Sequence, residues 1–194
     1  MRYVVFDIES ISASNPAVRG KVDLNDQELT LLAAYDSETD TYSSYLKEEL
    51  PQLWPLLERA ELLVGYNSDY FDIPLLNRYY PGDLSKIPSL DLLSKVAEVL
   101  GRRIRLDSLA QATLGAGKAG DGLKAQTWWR EGQIEKVRTY CLEDVRLTKE
   151  LFDYARMHGH LKYKELRDTR DIKLDTSHWG LGATAPAMTH TLSL

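Results

Sequence analysis

The sequence has little cysteine and lacks long apolar runs, and both deficits narrow the possible functions. Cys141 is the single cysteine among 194 residues, so neither an internal disulfide nor a zinc site built from cysteines can form. A lone thiol fits a reducing compartment, and we expect a cytoplasmic protein. The longest apolar runs cover only a few residues, far fewer than a membrane-spanning helix needs. Because the strand-like "RYVVFDI" follows Met1 directly, we also expect no signal peptide.

The chain also lacks internal repeats and a convincing linker, and it is short for two well-buried domains. We therefore expect one domain over residues 1–174. Residues 175–194 are rich in small residues, Thr and Ser, and we expect a tail that packs peripherally or is poorly ordered.

The net charge of −5 argues mildly against a nucleic-acid partner, but the charges are unevenly distributed. Residues 23–72 hold twelve acidic and two basic residues, whereas residues 102–138 hold eight basic and four acidic ones. This asymmetry is compatible with a basic approach surface beside an acidic centre. Two separate solvated faces would give the same pattern, so charge alone does not decide between them.

Apolar patterns predict strands and helices in alternation. The predicted strands cover residues 2–10, 28–36, 41–46, 61–67 and 87–93. The predicted helices cover residues 48–60, 71–80, 93–101, 106–115 and 134–158, and polar or glycine-rich loops are predicted over 10–26 and 115–122. Three strands followed by alternating strands and helices predict an α/β fold, in which a mixed central β-sheet is flanked by α-helices.

Two acids, Asp7 and Glu9, end the first predicted strand in "VVFDIES". Their two-residue spacing directs both side chains to the same face. Neighbouring carboxylates repel each other, and a cation between them would turn that repulsion into binding. Carboxylate oxygens are the natural ligands of hard divalent ions such as Mg²⁺. A strand end emerging into water would show the same residues, so the pair alone is ambiguous.

A third acid, Asp72, lies between Phe71 and Ile73 at the start of an apolar helix in "GYNSDYFDIPLL". Burial there would be costly without a partner, although a carboxylate at a helix start is also common because of the helix dipole. Asp69 is the competing acid and has the character of a solvated loop or capping residue. Asn67 could close the turn or reach a bound substrate, and the turn role is the commoner one.

The fourth acid, Asp144 in "YCLEDVRLTKELF", departs from the solvated face of its helix. Its helical neighbours include Tyr140 and Leu147, so its side chain lies at the margin of the apolar side. The other charged residues of this segment share one solvated face: Glu143, Arg146, Lys149, Glu150 and Asp153. A carboxylate turned toward a core needs a partner.

The four acids are better explained together than separately. If they converge at one end of a sheet, they could hold two metal ions roughly 3.5–4 Å apart. Such a pair activates a water molecule and stabilises the leaving oxygen in an in-line attack on a phosphodiester.

The segments "FDIES", "NSDYFDIP" and "YCLEDV", in this order, resemble the three exonuclease motifs of the DnaQ-like 3′–5′ exonucleases, which have the ribonuclease H-like fold. The second segment is similar to the form found in the proofreading domains of family B DNA polymerases. The resemblance covers about residues 3–158. "DIE" alone is a weak signal, whereas three motifs in order at plausible separation are a strong one.

The resemblance implies that Asp7, Glu9, Asp72 and Asp144 bind two divalent ions, Mg²⁺ or Mn²⁺. The family divides by the residue that helps to orient the attacking water. The tyrosine branch has Tyr four residues before the last aspartate, as Tyr140 is here, and the histidine branch has His five residues before it. Position 139 is Thr and no histidine precedes Asp144, so the chain resembles the tyrosine branch, also written DEDDy.

Six further residues are predicted to contact the substrate: Ser10, Asn67, Ser68, Phe71, Lys118 and Lys124. The family often has threonine where this chain has Ser10, which keeps the hydroxyl. Asn67, Ser68 and Phe71 would line a pocket for the 3′ end, with Phe71 as a wedge. The two lysines could contact the phosphate backbone. Trp128 or Trp129 could stack on a base, although adjacent tryptophans often have one ring in the core.

The resemblance favours a 3′–5′ exonuclease that acts on the 3′ ends of single-stranded nucleic acid, with DNA favoured over RNA. The alternatives are an RNA-processing exoribonuclease, a nuclease-like binding module without catalysis, and a structural domain with solvated acids. No membrane partner is expected. A proofreading role would require a polymerase, helicase or other repair partner.

Overall fold

A computed structural model of the chain describes residues 1–12, 23–116 and 122–180, with side chains in the last range from residue 124. The β-strands are β1 Tyr3–Ser12, β2 Gln27–Asp36, β3 Thr41–Leu46, β4 Leu62–Gly65, β5 Ser89–Asp91, β6 His160–Glu165 and β7 Asp168–Lys173. The α-helices are α1 Leu50–Glu58, α2 Asp72–Leu76, α3 Leu92–Leu100, α4 Leu106–Leu114, α5 Gly122–Arg130 and α6 Ile134–His158. The loop residues 13–22 and 117–121 and the tail beyond residue 180 lie outside this description.

The central sheet is mixed and has the strand order β3-β2-β1-β4-β5. β1, β2 and β3 pair antiparallel, whereas β4 and β5 run parallel to β1. The pairing of β4 with β1 ends at Val5 and Val64. The second half of β1 therefore extends past the end of β4, and the edge that β4 leaves open becomes available to other groups.

Apolar side chains cover both faces of the sheet, which explains the near-continuous apolar pattern of β1. Tyr3 and Val5 pack into a core formed with α6. Val4 and Phe6 pack into a second core on the opposite face, under α1 and α2. The predicted α/β architecture, a mixed sheet flanked by helices, is confirmed.

The long helix α6 begins and ends at the residues predicted from the sequence. It stops at Gly159, which adopts a left-handed backbone with φ of +70° that side-chain-bearing residues rarely tolerate. α3 has capping residues at both ends, with Asp91 accepting N–H groups at the start and Gly101 at the end. In α1, Pro51 lies in the first turn, whereas Pro55 lies inside this short helix.

Two elements were not predicted, namely helix α5 and the antiparallel hairpin β6–β7. The hairpin packs on α4, where the Thr113 hydroxyl donates to the Lys162 carbonyl and accepts the Lys162 N–H at 3.1 and 2.9 Å. In the described part of the predicted tail, the Trp179 ring stacks on Phe152 with centroids 5.7 Å apart. None of the helices in the described ranges has the length and apolar character to span a bilayer.

Candidate active site

Asp7 and Glu9 lie on the α6 side of β1, where the alternation of the strand directs them. A bulge in the pairing with β2 follows directly, between Glu9 and Ser10. Thr30 is the extra residue on β2, and its hydroxyl donates to the Glu9 carbonyl at 2.9 Å. Bulges of this kind re-aim side chains and are frequent next to active sites. Beyond the bulge, the Ser10 side chain is buried and donates to Gln27 Oε1 at 2.9 Å.

Asp72 is the first residue of α2, and its carboxylate is buried. Its Oδ1 accepts the Ile8 N–H at 3.0 Å, on the edge of β1 that β4 leaves open. Burial raises the pKa of Asp72 to about 7; the hydrogen bond from Ile8 opposes this shift, whereas Asp91 and Asp144 add to it. The charged form of the Asp72 carboxylate is thus destabilised by its surroundings, and a nearby cation would stabilise it.

α6 brings Tyr140, Cys141 and Asp144 against the same end of β1, and all three side chains are buried. The Cys141 thiol lies 3.4 Å from the Asp7 carbonyl oxygen and 3.5 Å from its carboxylate Oδ2. Burial and the charges of Asp7, Glu9 and Asp144 raise the pKa of Cys141. The thiol therefore stays protonated and donates to Asp7.

Three of the four acids are close enough to Tyr140 to change the pKa of its hydroxyl. Burial raises the pKa of the Tyr140 hydroxyl, and Asp144, Glu9 and Asp7 raise it further, in that order. Asp144 also raises the pKa of Asp72. The structure thus gathers all four predicted acids and Tyr140 in one cluster.

The donor set of this cluster fits a divalent cation. Asp7, Glu9 and Cys141 each offer one ligand atom, and these atoms lie within 4.8 Å of one another. Carboxylate oxygens suit Mg²⁺ and Mn²⁺, whereas the protonated thiol is a poor ligand for them. Burial first, and the neighbouring carboxylates second, raise the pKa values of Asp72, Tyr140 and Cys141. A bound cation would therefore relieve a cost that the folded chain already bears.

The predicted substrate residues have different surroundings. Asn67 has a left-handed backbone with φ of +69°, its N–H donates to Asp91 Oδ1 at 2.8 Å, and its side-chain oxygen accepts from Arg103. The Ser68 side chain is buried under Gly65, where an added Cβ would lie 2.4 Å from Ser68 Cβ. Phe71 precedes α2 and is partly buried. Their contacts with a substrate remain predictions.

Of the two acids in the second motif, Asp69 is the exposed one and accepts from the Ser89 hydroxyl at 3.0 Å. Lys124 is exposed on α5, while Lys118 lies outside the described residues. The Trp128 ring meets Tyr140 edge to face, with centroids 5.9 Å apart, and Trp129 is also partly buried against the core. Trp128 therefore forms part of the wall behind Tyr140.

Two residues that were not predicted from the sequence, Asp107 and Arg103, line a cavity of ≈ 370 Å³ together with Asp144 and Asn67. Asp107 lies in the first turn of α4 and contributes to the raised pKa of Tyr140. Acidic residues are common in the first turn of a helix because the helix dipole stabilises them there. Nothing in the sequence therefore distinguished Asp107 from an ordinary residue of this kind. Arg103 belongs to a segment whose basic charge was noted, but the contact with Asn67 depends on the tertiary fold.

Comparisons with known proteins agree with this architecture. A solved family B DNA polymerase from the hyperthermophilic archaeon Pyrobaculum calidifontis is similar in structure, with a TM-score of 0.62 and 20% sequence identity. The match covers 79% of this chain and 24% of the polymerase chain, so this protein corresponds to a small part of that one. At this identity the likeness shows the fold. No curated protein sequence gives a match.

The family model described as RNase_H superfamily matches residues 4–156, which include β1, α2 and nearly all of α6. These are the elements that carry the four acids and Tyr140, so the match covers both the sheet and the candidate site. The chain therefore belongs to the RNase_H superfamily, with the ribonuclease H-like fold.

Proposed function

We propose that this protein is a metal-dependent 3′–5′ exonuclease of the tyrosine branch, acting on single-stranded nucleic acid. The observation that carries the proposal is the acidic cluster at the end of β1, where ligand atoms of Asp7, Glu9 and Cys141 lie within 4.8 Å of one another. Asp144, Glu9 and Asp7 also raise the pKa of the neighbouring Tyr140. Membership in the RNase_H superfamily supports a nuclease function. The motif resemblance supports the polarity and the branch.

The four acids would hold two divalent ions, Mg²⁺ or Mn²⁺. When bound, the ions would activate a water molecule and stabilise the leaving oxygen of an in-line attack on a phosphodiester. Asp7 and Glu9, whose ligand atoms lie within 4.8 Å of each other, would hold the ions from β1. Asp72 and Asp144 would complete the ligand set from α2 and α6.

Glu9 and Tyr140 would orient the attacking water. Tyr140 suits this role because its raised pKa keeps the hydroxyl protonated, so it can donate a hydrogen bond at neutral pH. The edge of Trp128 against its ring fixes the ring orientation. Orientation of this kind lowers the barrier without forming a covalent intermediate.

DNA is the proposed substrate, with RNA as the second candidate. The polymerase-like form of the second motif and the structural likeness to a family B DNA polymerase support this preference. Discrimination would rest on contacts to the 2′-hydroxyl. Action in proofreading would require a polymerase, helicase or other repair protein as a partner.

Paired substitutions of the two acids in the second motif test this proposal. Asp72→Ala should abolish hydrolysis of single-stranded DNA and RNA in Mg²⁺ and in Mn²⁺, because it removes a buried ligand. Asp69→Ala should retain activity close to that of the unmodified chain, because Asp69 is exposed and bonded to Ser89. Asp7→Ala should behave as Asp72→Ala does, and EDTA should stop hydrolysis in every active protein.

Equal activity of Asp72→Ala and the unmodified protein would contradict the site assignment. An unmodified protein that binds single strands tightly but cuts neither DNA nor RNA in either metal would instead be a binding module. Preference for RNA would exchange the two candidate substrates and leave the mechanism intact.

A further inference from the structure

We propose that a basic channel beside the active site binds the backbone of the single strand that leads into it. We call this surface the arginine channel and define it by Arg102, Arg103, Arg105 and Lys164. The proposal rests on the proposed function for the identity of the strand. It adds a binding surface built in part by the hairpin β6–β7, which carries none of the three motifs.

Two adjoining cavities make the channel continuous with the active site. The smaller, of ≈ 370 Å³, is lined by Asp144 and opens toward Arg103 and Arg105. The larger, of ≈ 620 Å³, is lined by Arg102, Tyr163 and Lys164. The cavities share four lining residues: Arg103, Ile104, Arg105 and Asp107. A ligand with one end at Asp144 can therefore extend into the larger cavity without leaving the protein surface.

The charge of the larger cavity suits a polyanion. Of its lining residues within the described ranges, four are basic and one, Asp107, which also lines the smaller cavity, is acidic. Among the residues that the structure describes, no carboxylate forms an ion pair with Arg102, Arg103 or Lys164. Exposed cations without acidic partners are the groups that contact phosphates in nucleic-acid interfaces.

Two arginines of the channel, Arg102 and Arg103, have protein contacts before any ligand binds. The Arg102 guanidinium lies 5.5 Å from the centroid of the Tyr163 ring. Arg103 donates to the Asn67 side chain and lies 6.0 Å from the centroid of the Tyr70 ring. Guanidinium groups that already contact aromatic rings lose less conformational entropy on binding than free ones, which favours the ligand.

The hairpin forms a rigid wall of the channel. Tyr163 is buried on β6, next to the residue that exchanges two hydrogen bonds with Thr113 of α4. α4 begins directly after Arg105, so the same helix positions the arginines and anchors the hairpin. Lys164 is exposed and lines the same cavity as Arg102.

The strand that enters the site fits this channel better than the nucleotide that leaves. An exonuclease releases one nucleotide on one side of the cut and holds the rest of the strand on the other. Several cations spread over two cavities match a run of successive phosphates, whereas a released nucleotide has a single phosphate group. Binding should therefore strengthen with strand length.

The salt dependence of binding tests the channel directly. Labelled single-stranded oligonucleotides are titrated with protein in EDTA, so that no strand is cut, from about 50 to about 200 mM salt. The double variant Arg102→Gln with Lys164→Gln should lower the slope of log affinity against log salt by about 1.4, since each single-strand phosphate contact contributes about 0.7. Over this fourfold range, the affinity of the unmodified protein should fall roughly sevenfold more than that of the variant.

Two matched variants separate charge from fold. Arg59→Gln with Lys86→Gln removes the same charge from exposed positions on the opposite side of the sheet, and should leave the slope unchanged. Arg102→Lys with Lys164→Arg keeps both charges while altering the stacking on Tyr163, and should keep most of the slope. Melting temperatures of all three variants report whether each one folds.

Hydrolysis distinguishes failure of the channel from failure of the proposed function. In Mg²⁺, the Gln variant of the channel should lose kcat/KM on a long strand but not on a dinucleotide. If the unmodified protein cuts strands and the channel variant binds and cuts them as the Arg59 and Lys86 variant does, the channel is overturned and the exonuclease stands. If the unmodified protein binds strands but cuts none, and its salt slope exceeds that of the channel variant by the predicted amount, the exonuclease is overturned and the channel stands. If it neither binds nor cuts, both are overturned.

Discussion

Asp72 is the most deeply buried of the four acids, and its environment explains why a bound cation would stabilise the site. Its side chain is 4% exposed and accepts the Ile8 N–H of β1 at 3.0 Å. Desolvation outweighs that hydrogen bond, and Asp91 and Asp144 add repulsion. The charged form of Asp72 therefore opposes folding until a cation compensates it.

The variant Asp72→Asn should be more stable than the unmodified protein in EDTA, because it keeps an acceptor for the Ile8 N–H and removes the buried charge. A rise in pKa from 3.8 to about 7 corresponds to a gain of at most about 4 kcal/mol in the free energy of unfolding. The folded state binds the proton more tightly than the unfolded state, so this gain is complete above pH 7. It should shrink as the pH falls through 7 and vanish near 3.8, where both states are protonated.

Thermal or urea unfolding between about pH 5 and pH 8 measures this gain. Asp69→Asn serves as the control, since Asp69 is exposed, and should change little at any pH. If the Asp72→Asn protein is less stable than the unmodified protein at pH 8 without metal, the claim that the Asp72 charge destabilises the metal-free fold is wrong.

The variant Tyr140→Phe should slow hydrolysis by about 10²-fold, a typical loss for a group that helps to orient and activate water. Metal binding should persist, because the four carboxylates remain. Tyr154→Phe on the same helix removes a hydroxyl from a ring that contacts His158 and His160, and should retain full activity. Kinetics with and without metal, together with the metal-dependent rise in melting temperature, separate the two effects. Loss of that rise in Tyr140→Phe would mean that the residue supports the ligands instead.

At the scale of elements, the turn between β4 and α2 sets the position of the second motif. Asp91, at the end of β5, accepts the N–H groups of Asn67 and Asp69 as well as those of Leu93 and Ser94 at the start of α3. One buried carboxylate thus joins the turn to a helix start. Gly65 at the end of β4 leaves room for Ser68 to fold beneath the chain.

The variant Asp91→Ala should cost about 2–4 kcal/mol of stability, because it removes a helix cap and leaves buried N–H groups without an acceptor. Activity should fall as well, since the turn that precedes Asp72 loses its support. Asp91→Asn keeps one acceptor oxygen and should lose less. Asp83→Ala removes a similar cap from an exposed 3₁₀ turn and should cost under about 1 kcal/mol. Equal losses for Asp91→Ala and Asp83→Ala in chemical unfolding would argue against the bridging role.

Periodicity predicted the five strands of the main sheet and α6, but it did not predict the hairpin β6–β7. Leu161, Tyr163 and Ile172 are buried on it, yet the hairpin turn has Leu166 and Arg167 where glycine or asparagine is usual. Leu166 is fully exposed and adopts a φ of +57°, a conformation that is uncommon for residues other than glycine and that the local sequence does not predict. The absence of a turn signal therefore hid two strands.

At the scale of the whole molecule, the order of the motifs in the sequence was enough to predict the four acids. The other residues of the site became evident only from the fold. Three motifs in order were enough to indicate Asp7, Glu9, Asp72 and Asp144, whose convergence the structure shows. The place of Asp107 beside them needed the packing of α4, which no local pattern encodes. Long-range contacts between elements are the information that propensity and periodicity lack.

The charge distribution along the sequence likewise indicates a basic surface but not which residues form it. The basic segment at residues 102–138 suggested an approach surface, but the arginine channel takes only its first residues and adds Lys164 from a distant hairpin. The acidic and basic surfaces meet at the cavity lined by Asp144 and Arg103. A negatively charged protein can thus present a local positive path to a negatively charged strand.

The polarity of strand shortening in Mg²⁺ tests the proposed exonuclease most directly. Two single-stranded oligonucleotides of equal sequence, one labelled at the 5′ end and one at the 3′ end, are incubated with the protein and resolved by length. We expect the 5′ label to move through a ladder of steadily shorter strands, while the 3′ label appears at once as a mononucleotide. Release of the 5′ label as a mononucleotide, internal cuts, or intact strands in both reactions would contradict a 3′–5′ exonuclease.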